Sequence, residues 1–216
     1  WVYPALFNAN DTWLLISESG LHENYCGSHL VYNDSSKTMQ VTFPQKEEIF
    51  PHGALNPESQ LPWYTPWRII AIGSLKTITE STLGTDLADP AIPMDTSFIK
   101  SGLASWSWVL LKDESVNYET TLKFIDYASQ MNWQYCLIDA DWNKRIGDEK
   151  MLALANYAKN KNVKLLVWYN SSGTWNSTVY EPKSKLLTTE DRNIEFNKLK
   201  EIGIAGIKVD FFGGDG

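Results

Sequence analysis

From about Asp95 onward, apolar runs of strand length alternate with segments of helical spacing, and this alternation limits the possible folds more than any other feature. The candidate strands are Ala104–Leu111, Tyr135–Ala140, Val163–Tyr169 and Ile204–Phe211, and the candidate helices are about Tyr118–Met131, Asp148–Asn160 and Thr189–Ile202. Strands that alternate with helices predict βα units around a parallel sheet. Four such units fit either a doubly wound open sheet or half of a (β/α)8 barrel.

The faces of the candidate strands distinguish these two architectures. Successive side chains of a strand point to opposite faces, so Lys208 and Asp210 share one face while Ile207 and its alternate neighbours share the other. An open sheet covered by helices is normally apolar on both faces. A barrel interior instead accepts polar side chains at the carboxyl ends of its strands. Because Asp139 and Asp141 repeat the pattern at the end of an earlier run, the faces favour the barrel.

The helices carry signals at their ends. Asp148 is expected to cap the second helix, Thr188 or Thr189 to open the third, and Gly203 to end the third. Helical spacing predicts which side chains of the later two helices face the core. These are Met151, Leu152, Ala155 and Ala158 in the second helix, and Ile194, Leu199 and Ile202 in the third.

The chain before about Leu83 follows a different pattern. Its apolar or alternating runs are short and are separated by Asn, Asp, Ser, Gly and Pro, which is typical of antiparallel strands joined by turns. The runs are Trp13–Ile16, His29–Tyr32, Met39–Phe43 and Trp67–Ile72. This part of the chain therefore predicts a β-sandwich.

Composition limits the partners of the chain. Its 216 residues carry a net charge of -7 without a run of Lys or Arg, which argues against nucleic acid, because phosphate neutralisation needs clustered basic residues. No window holds the ~18 consecutive apolar residues that membrane insertion needs. The 10 tryptophans and 10 tyrosines suit sugar faces as well as protein cores. Cys136 lies inside an apolar run and is expected to be a buried thiol.

The polar residues at the strand ends have more than one chemical interpretation. Asp210 is a candidate catalytic carboxylate, a turn carboxylate of the Gly-rich segment that follows it, or an ion-pair partner of Lys208. Lys208 fits the Schiff-base lysine of an aldolase-like barrel. The nearby carboxylate argues against that chemistry, because it would raise the pKa of the lysine. Asp139 and Asp141 are alternatively caps of the following loop.

Four segments in order resemble glycoside hydrolase family 97. They are Pro66–Gly73, Asp95–Trp108, Ile125–Trp142 and Gly206–Phe211, the last being similar to the family's nucleophile strand. The family's plan is an N-terminal β-sandwich, a catalytic (β/α)8 barrel and a C-terminal β-domain. The resemblance thus implies an α/β chain with the end of the sandwich over residues 1–86 and the first four βα units of the TIM-like barrel over 87–216.

The resemblance also implies an activity and site residues. It implies a retaining α-glycoside hydrolase acting on an oligosaccharide or α-glycoside, α-galactosidase-like, with Asp210 as nucleophile. Lys208, Asp139 and Trp142 are implied as substrate-binding residues. The Asp-Ala-Asp-Trp sequence of residues 139–142 departs from the family-like Asp-Glu-Gly-Trp, which leaves the role of the second acid open. The alternatives are an α-glucosidase of the same family and a non-catalytic carbohydrate-binding module.

A further segment, Leu15–Leu21, resembles the sandwich motif that sends a glutamate to an active-site calcium. It implies Glu18 as a calcium ligand, the alternative being a solvated glutamate at a strand end. Calcium takes ~6–8 oxygen ligands and would hold carboxylates beside the sugar. The resemblance further suggests a periplasmic or secreted location.

We also expect the chain to be a truncated piece without independent activity. A retaining glycosidase needs a second carboxyl group ~5–5.5 Å from the nucleophile, and the sequence offers only one credible candidate, Asp210. The ending Gly213–Gly216 is typical of an active-site βα loop that lacks its helix. The first and fourth barrel strands would moreover leave unpaired edges.

Overall fold

The computed structural model describes residues 1–46, 49, 54–173 and 177–212 of a mixed α/β chain. The chain divides into two compact units, the first comprising Trp1–Met94 and the second beginning at Asp95. Gly213–Gly216, whose composition contributed to the expectation of truncation, lie outside the described residues. Within the described ranges, no helix is long and apolar enough to cross a membrane.

The first unit contains two antiparallel sheets. One has the strand order β1-β2-β5, and the other is a hairpin of β3 and β4. The bounds are Ala5–Ala9 for β1, Thr12–Ser19 for β2, His29–Asn33 for β3, Thr38–Thr42 for β4, Trp67–Gly73 for β5, Leu75–Thr79 for α1 and Leu83–Asp86 for α2. All four strands expected here are confirmed, whereas β1 and the two short helices were not predicted.

The second unit is built on one parallel sheet whose strand order, β6-β7-β8-β9, follows the chain order. Its strands are Ala104–Trp106 (β6), Tyr135–Ile138 (β7), Lys164–Asn170 (β8) and Gly206–Asp210 (β9). Its helices are Ser107–Leu111 (α3), Tyr118–Gln130 (α4), Trp142–Arg145 (α5), Asp148–Asn160 (α6) and Thr189–Ile202 (α7), with a short 3-10 helix at Asp113–Ser115. Each strand pairs in parallel with the next, as the predicted βα units require.

The first predicted strand of this sheet is wrong in its second half. Only Ala104–Trp106 are extended, and the chain then forms α3, which ends at Lys112 with a φ of 61°. The sequence from Trp108 to Leu111 is continuously apolar. A run of this kind has no period and fits a buried strand and a short helix equally well.

The three long helices lie where the sequence predicts them. Thr188 forms a capping box with Asp191 at the start of α7, and Gly203, at a φ of 95°, ends that helix in a conformation that glycine adopts without steric cost. The expected cap of α6 is corrected by one residue. Gly147 is the N-cap, and Asp148 is the first helical residue, where its charge favours the helix N-terminus.

The core of the second unit lies between the sheet and helices α4, α6 and α7. Two predicted core residues, Leu152 and Ile194, are exposed, and Leu154 and Glu195 are buried in their helices instead. Burial of Glu195 is possible because the hydroxyl of Tyr169 donates a hydrogen bond to its Oε1 at 2.5 Å. A hydrophobicity pattern cannot predict a buried carboxylate of this kind.

Cys136 lies in the same core, as its apolar surroundings predicted. Its side chain has no disulfide partner and the residue is 1% exposed. Burial raises the pKa of this thiol to about 11, although a hydrogen bond with Ser105 acts in the opposite direction.

A candidate active site at the carboxyl ends of the parallel strands

The two faces of the parallel sheet differ as the sequence predicts. In the register of β8 and β9, Trp168 lies opposite Lys208 and Asn170 lies opposite Asp210. Ile207, the residue before Lys208, packs against the core on the other face. The alternation therefore brings polar side chains from neighbouring strands to one face, at the ends where functional residues of parallel α/β folds collect.

Lys208 lies between two carboxylates on this face. Its Nζ is 3.2 Å from Oδ2 of Asp139 and 3.6 Å from Oδ2 of Asp210. The same Asp139 oxygen accepts a hydrogen bond from the indole N–H of Trp106 at 2.7 Å. Nζ of Lys208 also lies 4.4 Å from the ring centroid of Trp106, in cation–π geometry. Lys208, Asp139, Asp210 and Trp106 thus form one cluster, called here the lysine cluster.

The two carboxylates of the lysine cluster differ in their access to solvent. The side chain of Asp139 is 5% exposed, and that of Asp210 is 47% exposed. Asp139 also accepts the backbone N–H of Ala140 on its Oδ1, so both of its oxygens are engaged within the protein. Asp139 is therefore suited to hold Lys208 in place, whereas Asp210 is the carboxylate that a substrate can reach.

Two hydrogen bonds and one ion pair hold the carboxylate of Asp210. The backbone N–H of Phe211 donates to Oδ1 at 2.9 Å, and the indole N–H of Trp168 donates to Oδ2 at 3.2 Å, beside Lys208. Partial burial disfavours the charged form of Asp210, but the two hydrogen bonds and the charge of Lys208 outweigh it and lower the pKa of the carboxyl group. Asp210 is consequently ionised at neutral pH, which suits a nucleophile and not a general acid.

Aromatic rings surround Asp210. The ring of Phe211 contacts that of Trp168 edge-on, at 5.8 Å between centroids, and stacks on that of Tyr180 at 6.1 Å. The hydroxyl of Tyr180 donates to Asp113 at 3.2 Å, and this neighbouring carboxylate raises the pKa of Tyr180. Sequence reasoning missed Asp113 and Tyr180. Both lie in connections that follow parallel strands, Asp113 in the short 3-10 helix and Tyr180 in a loop, and that placement is the one signal that could have indicated them.

The structure corrects the expectation that Trp142 contacts a sugar. Its side chain is 0% exposed, and its indole N–H donates to the backbone carbonyl of Trp168 at 2.9 Å. Its ring contacts that of Tyr169 in the core at 6.0 Å. A fully buried ring cannot stack on a ligand. Trp142 therefore packs against β8 on the core side of the sheet.

Asp141 is likewise not part of the lysine cluster. It follows β7 in a left-handed conformation, at a φ of 65°, and therefore leaves the alternation of the strand. Its Oδ1 accepts the backbone N–H of Glu181 at 2.9 Å, and this bond fixes the loop after β8. The loop-capping alternative thus describes Asp141, whereas Asp139 belongs to the cluster.

Glu18 lies on β2 in the first unit, opposite Arg68 on β5. Nη1 of Arg68 is 2.7 Å from Oε1 of Glu18, and the hydroxyl of Ser28 donates to the same oxygen. The side chain of Glu18 is 9% exposed, so it is not a solvated glutamate at a strand end. The part of the chain that the structure describes contains no group of three or more His, Cys, Asp or Glu suited to a metal. The described residues alone therefore do not fit a calcium site.

Two family models match the chain. The model described as Glycosyl-hydrolase 97 N-terminal matches residues 1–90, and the model described as Glycoside hydrolase 97 matches residues 98–216. Together they cover both units.

Two curated relatives align with almost the whole chain. A probable retaining alpha-galactosidase of Streptomyces bingchenggensis is 30% identical, over 98% of this chain and 32% of the relative. A retaining alpha-galactosidase of Bacteroides thetaiotaomicron is 25% identical, over 98% of this chain and 34% of the relative. The chain thus spans about a third of the length of the curated relatives it matches.

Two solved structures are also similar. The crystal structure of a beta-arabinopyranosidase is 41% identical, with a TM-score of 0.92, over 99% of this chain and 34% of that one. A glycoside hydrolase family 97 enzyme from Pseudoalteromonas sp. strain K8, in complex with acarbose, is 18% identical, with a TM-score of 0.68 and the same coverage. At that identity the second likeness concerns the fold alone.

Proposed function

Because the chain belongs to glycoside hydrolase family 97, we propose that it carries the nucleophile half of a retaining glycosidase site. In this proposal the parallel sheet is the first half of a (β/α)8 catalytic barrel, and the antiparallel sheets are part of the preceding β-sandwich. The strand order of the second unit and the polar side chains on one face support the barrel. The TM-score of 0.92 to the beta-arabinopyranosidase supports it further.

The observation that carries the proposal is the environment of Asp210. It is the accessible carboxylate of the lysine cluster, it is ionised, and donors hold both of its oxygens. In a retaining reaction, one oxygen of Asp210 attacks the anomeric carbon and forms an ester bond while the bond to the leaving oxygen breaks. A second carboxylic acid protonates the leaving oxygen, then activates the water that cleaves the ester. Among the described residues, the lysine cluster offers no second accessible carboxylate for that role, and inactivity of the isolated chain stays a prediction.

Lys208 and Asp139 have different parts in this proposal. The side chain of Lys208 is 30% exposed, and of the three donors of its ammonium group one is bonded to Asp139 while a second faces Asp210 at 3.6 Å. The third is available to a sugar hydroxyl. Asp139 is too buried to be the main substrate contact, so it acts by holding Lys208 and Trp106.

The relatives indicate a galactose-configured substrate. β-L-arabinopyranose has the ring stereochemistry of α-D-galactopyranose and lacks only the hydroxymethyl group at C5. The names alpha-galactosidase and beta-arabinopyranosidase therefore describe sites of the same ring configuration. We infer that the substrate is an α-galactoside-like pyranoside in an oligosaccharide or related glycoside. The 41% identity to the beta-arabinopyranosidase favours a second candidate, a site that prefers the pentose.

Substrate comparison tests this inference. With the protein at its full natural length, we expect kcat/KM for aryl α-D-galactopyranoside or aryl β-L-arabinopyranoside to exceed that for aryl α-D-glucopyranoside by ~10²-fold or more. The reason is that a site built to hydrogen-bond an axial 4-hydroxyl leaves buried polar groups unpaired with the glucose epimer. The ratio of the first two substrates decides between the hexose and the pentose. Preference for the glucoside would contradict the proposed configuration and favour the α-glucosidase alternative.

Calcium remains a proposal that rests on the resemblance of Leu15–Leu21, because the described residues do not form a site. Bound calcium would supply positive charge near the sugar. Glu18 would contribute to it only if its carboxylate were shared between the metal and Arg68, and carboxylates from elsewhere would have to complete the oxygen shell.

Metal removal tests the role of Glu18. In the full-length protein, EDTA should reduce activity and Ca²⁺ should restore it, and Glu18→Gln should raise the Ca²⁺ needed for half of full activity by ~10-fold, because a ligand charge is lost. Direct calorimetric titration of Ca²⁺ should show the same loss of affinity. Glu80→Gln is the matched control, because Glu80 pairs with Lys76 on the surface of α1. Equal calcium dependence in both variants would mean that Glu18 does not bind calcium and serves only in its contacts with Arg68 and Ser28.

A further inference from the structure

Phe211, which directly follows Asp210, has a backbone conformation that bulky residues rarely adopt. Its φ is 54°, in the left-handed region that favours glycine. A residue without glycine's freedom adopts this conformation at a cost in free energy, and the conformation persists only where surrounding contacts enforce it. Such residues concentrate at functional sites.

Two serine hydroxyls hold the carbonyl of Phe211. Oγ of Ser171 donates to this oxygen at 3.0 Å, and Oγ of Ser172 donates to it as well. The backbone N–H of Ser171 donates to the carbonyl of Asp210 at 2.9 Å. The serine pair thus binds the two successive carbonyl groups that flank the Cα of Phe211.

Ser172 is itself fixed. It is buried, and its backbone N–H donates to Oδ1 of Asn170 at 2.9 Å. Asn170 is fully buried and lies opposite Asp210 in the parallel register. The support for Phe211 therefore originates in the rigid end of β8.

The ring of Phe211 is held as well. It lies against Trp168 and Tyr180, and Tyr180 is bound through its hydroxyl to Asp113. Contacts at both the ring and the carbonyl therefore enforce the left-handed conformation.

The backbone N–H of Phe211 donates to Oδ1 of Asp210 at 2.9 Å, and the hydrogen bond from the N–H of Ser171 to the carbonyl of Asp210 orients the peptide group that carries this N–H. Trp168 and Lys208 hold the other oxygen. We propose that Ser171 and Ser172 are positioning residues for the nucleophile: by holding the carbonyl of Phe211 they keep its amide on Asp210 and so fix the plane of the attacking carboxylate. The inference rests on the proposed role of Asp210.

Among the described residues, few other titratable groups lie close to Asp210. Lys208 faces it from its own strand, Asp139, which follows β7, shares that lysine, and Tyr180 packs on Phe211 from the loop after β8. Neither serine substitution alters any of these charges. A change in the titration of Asp210 upon serine substitution therefore reports the position of the Phe211 amide.

The test is the pH profile of Ser172→Ala in the full-length protein. The amide hydrogen bond favours the ionised carboxylate, so its loss raises the pKa of Asp210 and moves the acid limb of kcat/KM to higher pH, by about half a unit or more. We expect kcat to fall ~10-fold, because a misaligned carboxylate attacks more slowly, and KM to change less than twofold. Ser129→Ala is the matched control, since that hydroxyl also donates to a backbone carbonyl, that of Lys161, on the surface. An unmoved acid limb in Ser172→Ala would overturn the proposal.

A second variant separates positioning from general damage. Glycine adopts a positive φ without support, so the shift caused by Ser172→Ala should be at least halved when Phe211→Gly is also present. If Ser172→Ala moved the acid limb of kcat/KM equally with and without Phe211→Gly, Ser172 would not act on Asp210 through Phe211. Carbon-13 NMR titration of Asp210 gives the same answer without turnover, so it tests the positioning inference even if Asp210→Asn retains activity and the proposed function fails.

Discussion

Asp210→Asn in the full-length protein is expected to lower kcat for an aryl α-galactoside by ~10⁴-fold or more, because an amide cannot form the ester intermediate. Folding should be retained. Asparagine has the shape of the aspartate and still accepts from the Phe211 amide, and Asp210 is half exposed, so little buried charge pairing is lost. Steady-state kinetics and a thermal unfolding curve measure both effects. Asp148→Asn, which changes a surface partner of Lys198, is the control and should leave kcat unaltered.

The product that forms in the presence of azide identifies the role of the Asp210 carboxylate. Asp210→Gly leaves room for a small anion, and added azide should attack the anomeric carbon from the vacated side and release a β-galactosyl azide, of inverted configuration. Azide rescue needs the second carboxyl group to remain intact. Turnover by Asp210→Asn at more than about a hundredth of the normal rate would show that another residue is the nucleophile.

Asp139→Asn should destabilise the second unit by about 2–3 kcal/mol, the largest effect on stability that we expect from one substitution in the lysine cluster. Asp139 accepts from Trp106 and Lys208 on one oxygen and from Ala140 on the other. Asparagine has one acceptor oxygen, so its NH2 group must face one of these donors, and the charge is lost as well. The estimate is below that for a fully buried pair because Lys208 is partly exposed and keeps Asp210 nearby.

Asp126→Asn provides the comparison. Asp126 pairs with Lys161 at 3.0 Å, and both side chains are more than a third exposed. An exposed pair contributes about 0–1 kcal/mol, so this variant should be nearly neutral. Urea unfolding of the 216-residue chain at neutral pH measures both variants. An equal loss of unfolding free energy in Asp139→Asn and Asp126→Asn would mean that the buried carboxylate stabilises the fold no more than the exposed one.

The helices and the polar face were predictable because both depend on local sequence. The spacing of Lys208 and Asp210 requires them to share a face in any strand, and Thr188 and Gly203 are capping residues whose geometry does not depend on distant contacts. Helix α3 was not predictable, since a continuous apolar run has no period.

Long-range pairing accounts for the other differences. Arg68 meets Glu18 only because β2 and β5 adopt one particular register, which depends on the whole sheet. The hydrogen bond from Tyr180 to Asp113 joins residues 67 positions apart. The resemblance implied that Trp142 binds substrate, and only the packing against β8 places it in the core.

Because Cys136 is buried, its reaction with an alkylating agent can report local unfolding of the second unit. With a pKa of about 11, only ~10⁻⁴ of this thiol is ionised at neutral pH, and the thiolate is the form that reacts with alkylating agents. Because Cys136 lies on β7, three residues before Asp139, its alkylation requires separation of the sheet from its helices. The rate of that reaction therefore follows how often β7, the strand that leads to Asp139, becomes exposed to solvent.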